Sequence, residues 1–471
     1  MIESSIVYRF FAGIGNILLK FINGSFLVDK FLTEDSAAQA ETEGSIFYKI
    51  YSLLRNILSA IFSFLRFDRL FEGSIFKMNF LWMAITAVFA PIVPTKLVIL
   101  MAAAGFGSLL LALGCDRKKE LKFNSVNKFI YIYAGVYLFS IFASVDVRGS
   151  LFGGFLTVFF VLFAVVAENA FETKLQVKGL MFVMCGIGVL VSLYGFYQYM
   201  FQSKFGGVWV DTEMFESISF RVYSTLENPN VLGEYFLLII PFAVAGFFVS
   251  KQLILRLYYL GCGAVMMLCL ILTYSRGCYI GILVAAAVFL VLLDRRFIIL
   301  GVFGLLALPF VLPETIIHRF MSIGNMSDSS TSYRVYIWMG TINMLKDYWL
   351  CGIGPGQSAY NKVYPYYGYN GISAPHSHNT FLQVMCDTGI AGIIVFIAVI
   401  YQFFKLLFRA YIDTDDKETK IYTIAFMASI SGFLVQSLFD YTFYNYRVMI
   451  FFWIYIALGA VATKYASLKG E

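Results

Sequence analysis

Two of the three histidines in the chain, His376 and His378, stand two apart in the stretch APHSHNTFLQVMCDTGIAG. They lie at the mouth of an apolar run that begins with Thr380. An imidazole has a reference pKa of about 6.5, so it can take up a proton at neutral pH. That makes His378 a candidate base, with a surface or capping role as the alternative. A metal role needs further ligands. Histidines at i and i+2 cannot share one helical face, and no cysteine or aspartate on the same loop completes a set, so no metal is expected. Three arginines are placed similarly, close to apolar runs: Arg221 in SFRVYSTLENPNVLG, Arg276 in LTYSRGCYIG and Arg334 in SYRVYIWMG. A charged side chain at the centre of a membrane helix costs about 2.5–3.5 kcal/mol, and less near the interface, so something should offset it. A guanidinium offers five donors in a planar fork that grips phosphate through two parallel bonds. Several such groups converging on one side of a membrane suggest a phosphate or pyrophosphate ligand.

Each residue also has a plainer reading. Arg276 is compatible with a snorkelling interfacial charge, and Arg221 with an ordinary loop charge. Arg334 lies on an expected short helix with Trp338 one turn on, where packing or a cation–π contact would also serve. ENPNVLG reads as a turn and helix start, with Pro229 lacking a donor and Asn230 capping. GIGPG has no following Lys-Ser/Thr and no preceding strand, which rejects a phosphate-binding P-loop. The NMS sequon at Asn325 reads as chance.

The elements that must position these residues follow from composition. Of 471 residues, 60% are hydrophobic and 14% charged, and the mean hydropathy is +0.77. Soluble chains are nearer half apolar and a quarter charged. The fold class is therefore all-α and polytopic, because the apolar runs are long enough to cross as helices and lack the alternation of a barrel. About twelve spans are expected, near 77–93, 97–114, 128–145, 151–167, 179–201, 231–249, 256–273, 278–293, 297–312, 379–404, 421–439 and 446–463. Basic residues fall in alternate loops: Arg117, Lys118, Lys119, Lys122 and Lys128; Lys174 and Lys178; Lys251 and Arg256; Arg295 and Arg296; Lys405, Arg409, Lys417 and Lys420. That side is expected to be cytoplasmic, with both termini on it. The net charge of +6 is then a topology signal, and no nucleic-acid partner is expected. The remaining loops face outward, and two of them, 202–230 and 313–378, are long enough to suggest function. All four basic motifs fall on this outer side.

Residues 1–75 have another texture. SIFYKIYSLLRNILSAIFSFLRF mixes Lys49, Arg55 and Arg66 with long apolar side chains, the pattern of an amphipathic helix lying on the cytoplasmic face. An extra span is the alternative. TEDSAAQAETEGS, between 33 and 45, reads as a polar linker, and no cleavable signal peptide is evident. The division expected is 1–75 as an interfacial region and 76–471 as the membrane domain. The seven cysteines form no CxxC pair, and Cys185, Cys262 and Cys269 read as packing residues.

HSHNTFLQVMCDTGIAGIIVF resembles the signature of the O-antigen ligase and polymerase superfamily: a His followed by Asn, Ser or Gln, nine residues, Gly, two residues, then Gly, Thr or Tyr. Here His378 and Asn379 are followed by nine residues, then Gly389 and Gly392. YSRG before an apolar span, YRVYIWMGTINMLKDYWLCGIGPG in the large outer loop, and STLENPNVLG are also similar to that family. The resemblance covers roughly 220–400. It implies a bacterial membrane glycosyltransferase that works on the outer side of the cytoplasmic membrane. Its donor would be an undecaprenyl-pyrophosphate-linked glycan, and its acceptor a hydroxyl on a glycan, lipid or protein. By resemblance, Arg276 and Arg334 correspond to the family's functional arginines, His378 to its histidine, and Arg221 less securely. His376, Asn379, Asn228, Tyr274 and Trp338 are the expected substrate-binding neighbours, with Glu227 and Glu234 as reserve bases. Pyrophosphate is a good leaving group, so neither cofactor nor metal is expected, and direct displacement would invert the anomeric centre. The second function class is a transporter or flippase of lipid-linked oligosaccharide, which would also want arginines for pyrophosphate.

Overall fold

The computed structural model describes residues 46–467 except 117–118, 122–124, 206–219, 295, 312, 323 and 327. The 33–45 linker and most of the first outer loop lie outside the described residues, as do Arg117, Lys118, Lys122 and Arg295. The helices are α1 (Ile46–Phe64), α2 (Phe67–Leu70), α3 (Asn79–Phe89), α4 (Thr95–Cys115), α5 (Ser125–Phe142), α6 (Val147–Ala170), α7 (Lys174–Met200), α8 (Pro229–Val249), α9 (Leu253–Ile271), α10 (Arg276–Leu293), α11 (Phe297–Val311), α12 (Glu314–Met321), α13 (Ser329–Tyr348), α14 (Gln357–Val363), α15 (Thr380–Asp413), α16 (Lys417–Gln436) and α17 (Tyr446–Ser467). No strand occurs among the described residues. Each of the twelve expected spans coincides with a helix, and the protein is an all-α polytopic membrane protein. Among the described residues, eight helices are long and apolar enough to cross a membrane. The 11-residue α3, at about 1.5 Å per residue, falls well short of a ~30 Å hydrocarbon layer.

Helix α17 forms the centre of the bundle. Trp453 and Tyr455 are fully buried on it, and Trp453 lies 5.8 Å from Tyr133 of α5. Helix α10 runs against α16 through two glycines. A Cβ on Gly281 would come within 2.7 Å of the Gly432 carbonyl, and the converse holds for Gly432. Backbones approach this closely only where both residues are small, which gives van der Waals packing in lipid that apolarity alone cannot provide. The Ser429 hydroxyl donates to the Leu238 carbonyl at 2.9 Å and ties α16 to α8.

A second, smaller core lies outside the bundle. Ile337, Met344, Tyr360, Tyr364, Ile353 and Cys386 join α13, α14 and the loop after them to the start of α15. The family-like spacing takes on a structural meaning here. Gly389 has φ 67 and ψ −163, which breaks α15 into a short first helix and a long second one. A Cβ there would meet the Leu350 carbonyl at 2.1 Å, so glycine is required both by conformation and by contact. In GIGPG, Gly352 has φ 71, and a Cβ would meet the Cys386 carbonyl at 2.3 Å. That loop packs on the bend in α15.

The stretch 46–64 is helical, as its pattern suggests. Arg55 pairs with Glu120 at 3.0 Å, and the Leu121 amide donates to the Tyr51 hydroxyl at 3.1 Å. Ile50, Leu53, Leu54, Ile57, Ile61 and Phe64 lie exposed at helical spacing. The seven cysteines are all free, with Cys351 exposed and Cys185, Cys262 and Cys269 buried.

Candidate functional site

Five chain segments meet at one end of the bundle: the residues before α8, the start of α10, the α12–α13 turn, the loop before α15 and the loop between α16 and α17. Each contributes a charged or polar side chain because each is a helix end, where backbone groups lack intrahelical partners and the chain leaves the apolar layer.

His378 precedes α15 and has φ 47, a left-handed conformation that costs a non-glycine residue roughly 1–3 kcal/mol and persists only where surroundings enforce it. The enforcing contacts are visible. The Trp338 indole donates to the His378 carbonyl at 3.3 Å. Asn379 caps α15 by accepting from the Leu382 amide at 3.0 Å and donates to the Leu438 carbonyl at 2.9 Å. The imidazole lies edge-on to Tyr333, with centroids 5.8 Å apart. Its Nδ1 lies 3.1 Å from Asp440 Oδ1. A carboxylate only accepts, so it assigns the neutral ring's hydrogen to Nδ1 and leaves Nε2 with the free lone pair.

Asp440 comes from the α16–α17 loop and is buried. It also accepts from the Asn230 amide at 2.9 Å. Burial would raise its pKa, but His378 and Arg334 hold it well below the usual carboxylate range. His376 is half-buried, parallel to Tyr444 and edge-on to Tyr441, with both centroids 5.4 Å away. Burial and the neighbouring His378 push its pKa down to about 4, so its ring is neutral at neutral pH.

The arginines gather round this pair. Arg276, the first residue of α10, donates to Asp328 Oδ1 at 2.7 Å and to the Ser322 hydroxyl at 2.9 Å. Arg221 donates from Nε to the Thr273 carbonyl at 2.8 Å and to Asn230 Oδ1 at 3.1 Å. Burial, with Arg319 and Arg334 nearby, pulls its pKa down to about 9. Arg334 of α13 donates to the Ser330 carbonyl at 3.2 Å, while its buried Nε has no hydrogen-bond partner among the described residues. Burial lowers its pKa too, opposed by Asp440. A desolvated guanidinium with a donor left over is costly unless an acceptor arrives.

The remaining expected residues hold the frame. Asn228 is the cap of α8 and accepts from the Asn230 amide at 2.8 Å. This corrects the expected assignment of the cap to Asn230: the residue before Pro229 is extended and can cap, whereas Asn230 is already inside the helix. Its side chain is thereby free to bridge Arg221 and Asp440. Tyr274 has φ 50 and presents its carbonyl to Arg319 Nε at 3.4 Å. Glu227 is exposed and pairs with Arg447 at 3.5 Å. Glu234 lies fully buried one turn into α8 and accepts from Gln436 at 3.1 Å. Neither reserve base approaches His378 by a hydrogen bond among the described residues.

Asp440, Asp328, Asn230 and Arg319 are absent from the sequence-based set. Asp328 was findable, because an acid followed by SSTS opens a helix as a cap, and here it accepts from the Thr331 amide at 2.9 Å. Asp440 carries only a weak signal, a lone acid in the short loop between the last two apolar runs.

No curated protein matches the chain. The O-antigen ligase family matches residues 261–397, a stretch that holds Arg276, Arg334 and His378. Together with the helical membrane architecture, the match supports a likeness to the O-antigen ligase and polymerase superfamily over that stretch.

Proposed function

We propose that the protein is a metal-independent, inverting membrane glycosyltransferase. It takes a glycan from an undecaprenyl-pyrophosphate-linked donor and joins it to an acceptor hydroxyl of a glycan, lipid or protein in surface polysaccharide assembly. The family match over residues 261–397 supports ligase or polymerase action on lipid-linked glycans. The observation that carries the finer reading is the buried Arg334 guanidinium, whose Nε has no hydrogen-bond partner among the described residues, close to the His378–Asp440 pair. In this scheme Arg276, Arg334 and Arg221 hold the pyrophosphate and neutralise charge as it leaves. His378 takes the acceptor proton on Nε2, and Asp440 steadies the imidazolium that forms. The acceptor oxygen bonds to the anomeric carbon as the bond to pyrophosphate breaks, and the centre inverts. His376, Tyr274, Asn228, Asn379 and Trp338 shape the surroundings.

The site end would face outward from a bacterial cytoplasmic membrane, with both chain termini inside and α1 lying along the inner surface. Purified protein given a labelled lipid-linked donor and acceptor should form a glycosidic bond. Relocation of donor without bond formation would assign the protein to the flippase class instead. Orientation is read by cysteine labelling in a background where exposed Cys351 is replaced by Ala. Cysteines at positions 325 and 365 should react with an impermeant thiol reagent, and one at 119 should not; the opposite pattern would invert the assignment.

A further inference from the structure

His376, His378 and Asp440 have a second capacity that the sequence could not display, because the third residue arrives from a different loop. One ring nitrogen from each histidine and one carboxylate oxygen of Asp440 lie within 4.8 Å of one another. Zinc bonds to nitrogen and oxygen are about 2.0–2.1 Å, which sets neighbouring ligand atoms of a tetrahedral site about 3.3 Å apart. The His378 Nδ1 to Asp440 Oδ1 edge is 3.1 Å and already has that spacing. The edges to His376 close by turning its ring beside Tyr444, to which it lies nearly parallel. Two imidazoles and one carboxylate, with positions left for water, are a donor set that suits zinc.

We propose that these three residues form an inhibitory transition-metal site, of zinc-binding type, laid over the base. Inhibition rests on His378 acting as the base; binding does not. Zinc on Nδ1 needs the lone pair there, so the single N–H hydrogen of the neutral ring, which faced Asp440, is relocated through solvent to Nε2 with no net proton released. The nitrogen that should accept the hydroxyl proton then becomes a donor, and the base is lost. Structural zinc sites are closed by four protein ligands. This one has three, and the positive charge of Arg334 bears on both Asp440 and His376. The site is therefore reversible and open to chelators.

The test uses the full chain in detergent, stripped with chelator and titrated with Zn²⁺ by calorimetry. One ion per chain should bind. Affinity should fall at least tenfold in His376→Ala and in Asp440→Asn. It should be unchanged in His318→Ala, whose histidine pairs with Glu314 on α12. Co²⁺ should give the visible absorption of a low-symmetry nitrogen–oxygen site and lose it in the same two variants. Zn²⁺ should suppress transfer, and chelator should restore it. No binding, or binding unchanged in both variants, overturns the site. Undiminished transfer at saturating Zn²⁺ overturns the inhibition. A protein with no transfer under any condition counts against the glycosyltransferase reading, and the titration still decides the site.

Discussion

The two ends of the bundle handle charge in opposite ways. At the end opposite the site, the ion pairs among the described residues are wet. Lys119 pairs with Glu172, and Lys178 with Glu418, at 3.0 and 2.9 Å, with the carboxylate side chains 66% and 26% exposed. Lys174 reaches Asp416 in the same collar. At the site end the charges are dry. Arg276 and Asp328 are 11% and 1% exposed, and Arg221, Arg319 and Arg334 crowd in beside Asp328 and Asp440. Exposed pairs contribute about 0–1 kcal/mol each. Desolvated charges cost several kcal/mol unless well paired, and the buried Arg334 Nε has no hydrogen-bond partner among the described residues. On the proposed reading, the wet end serves topology and solubility and the dry end receives the phosphates of the donor.

The largest break in that contrast should come from His378→Ala. Transfer should fall by about 10²–10⁴, the usual weight of a general base, while donor binding survives on the arginines. His376→Ala should be milder. Normal transfer in His378→Ala, or loss of donor binding as full as in the arginine variants, would move the histidine among the phosphate ligands or the caps. Next come Arg276→Lys and Arg334→Lys, which keep charge but lose the two-pronged grip. Each should lose transfer by about 10²–10³ with the protein still inserted, as removal of a transition-state donor does elsewhere. Wild-type rates in both would return these arginines to snorkelling and packing.

Stability sharpens the same contrast. Asp328→Ala strands Arg276 and uncaps α13, so unfolding in detergent should come about 3 kcal/mol earlier, the lower end for breaking a buried pair. A smaller effect should follow pH. His376 is neutral when folded, with its pKa pushed to about 4, so the unfolded chain takes up a proton first on acidification. Stability should hold above the ordinary histidine value of about 6.5 and decline from there toward pH 4, and His376→Gln should flatten that slope. Asp440, held low, loses its contribution only below this window. The smallest effect belongs to the wet end: Lys174→Ala should shift stability by less than about 1 kcal/mol. A loss as large as that of Asp328→Ala would erase the distinction between the two ends.

Much of the fold was legible because lipid leaves the chain few options. A run of apolar residues must satisfy its own backbone, so α4, α6, α8 and α17 follow almost directly from hydropathy. Arg276, Arg334 and His378 were legible for a related reason, since a polar group at the edge of such a run stands out against it. Asp440 did not stand out as an acid between two spans, because acids in such loops are commonly just solvated. Asn230 was misread as a cap, since one residue of register separates a capping side chain from one that faces the site.

The sequence by itself determined the class of protein, the positions of the apolar helices and the residue types that end them, because these depend on local composition and on the backbone's need to satisfy itself in lipid. It also carried the spacing between His378 and Gly389, although not its reason. Only the tertiary structure decided that Gly389 is a bend pressed on the Leu350 carbonyl, that Asp440 pairs with His378 across 62 positions, and that Asp328 rather than solvent holds Arg276. Those choices depend on which helix ends come together. That is set by close helix packing, such as the contact of Gly281 with Gly432, and no local pattern encodes the partner on the other side of such a contact.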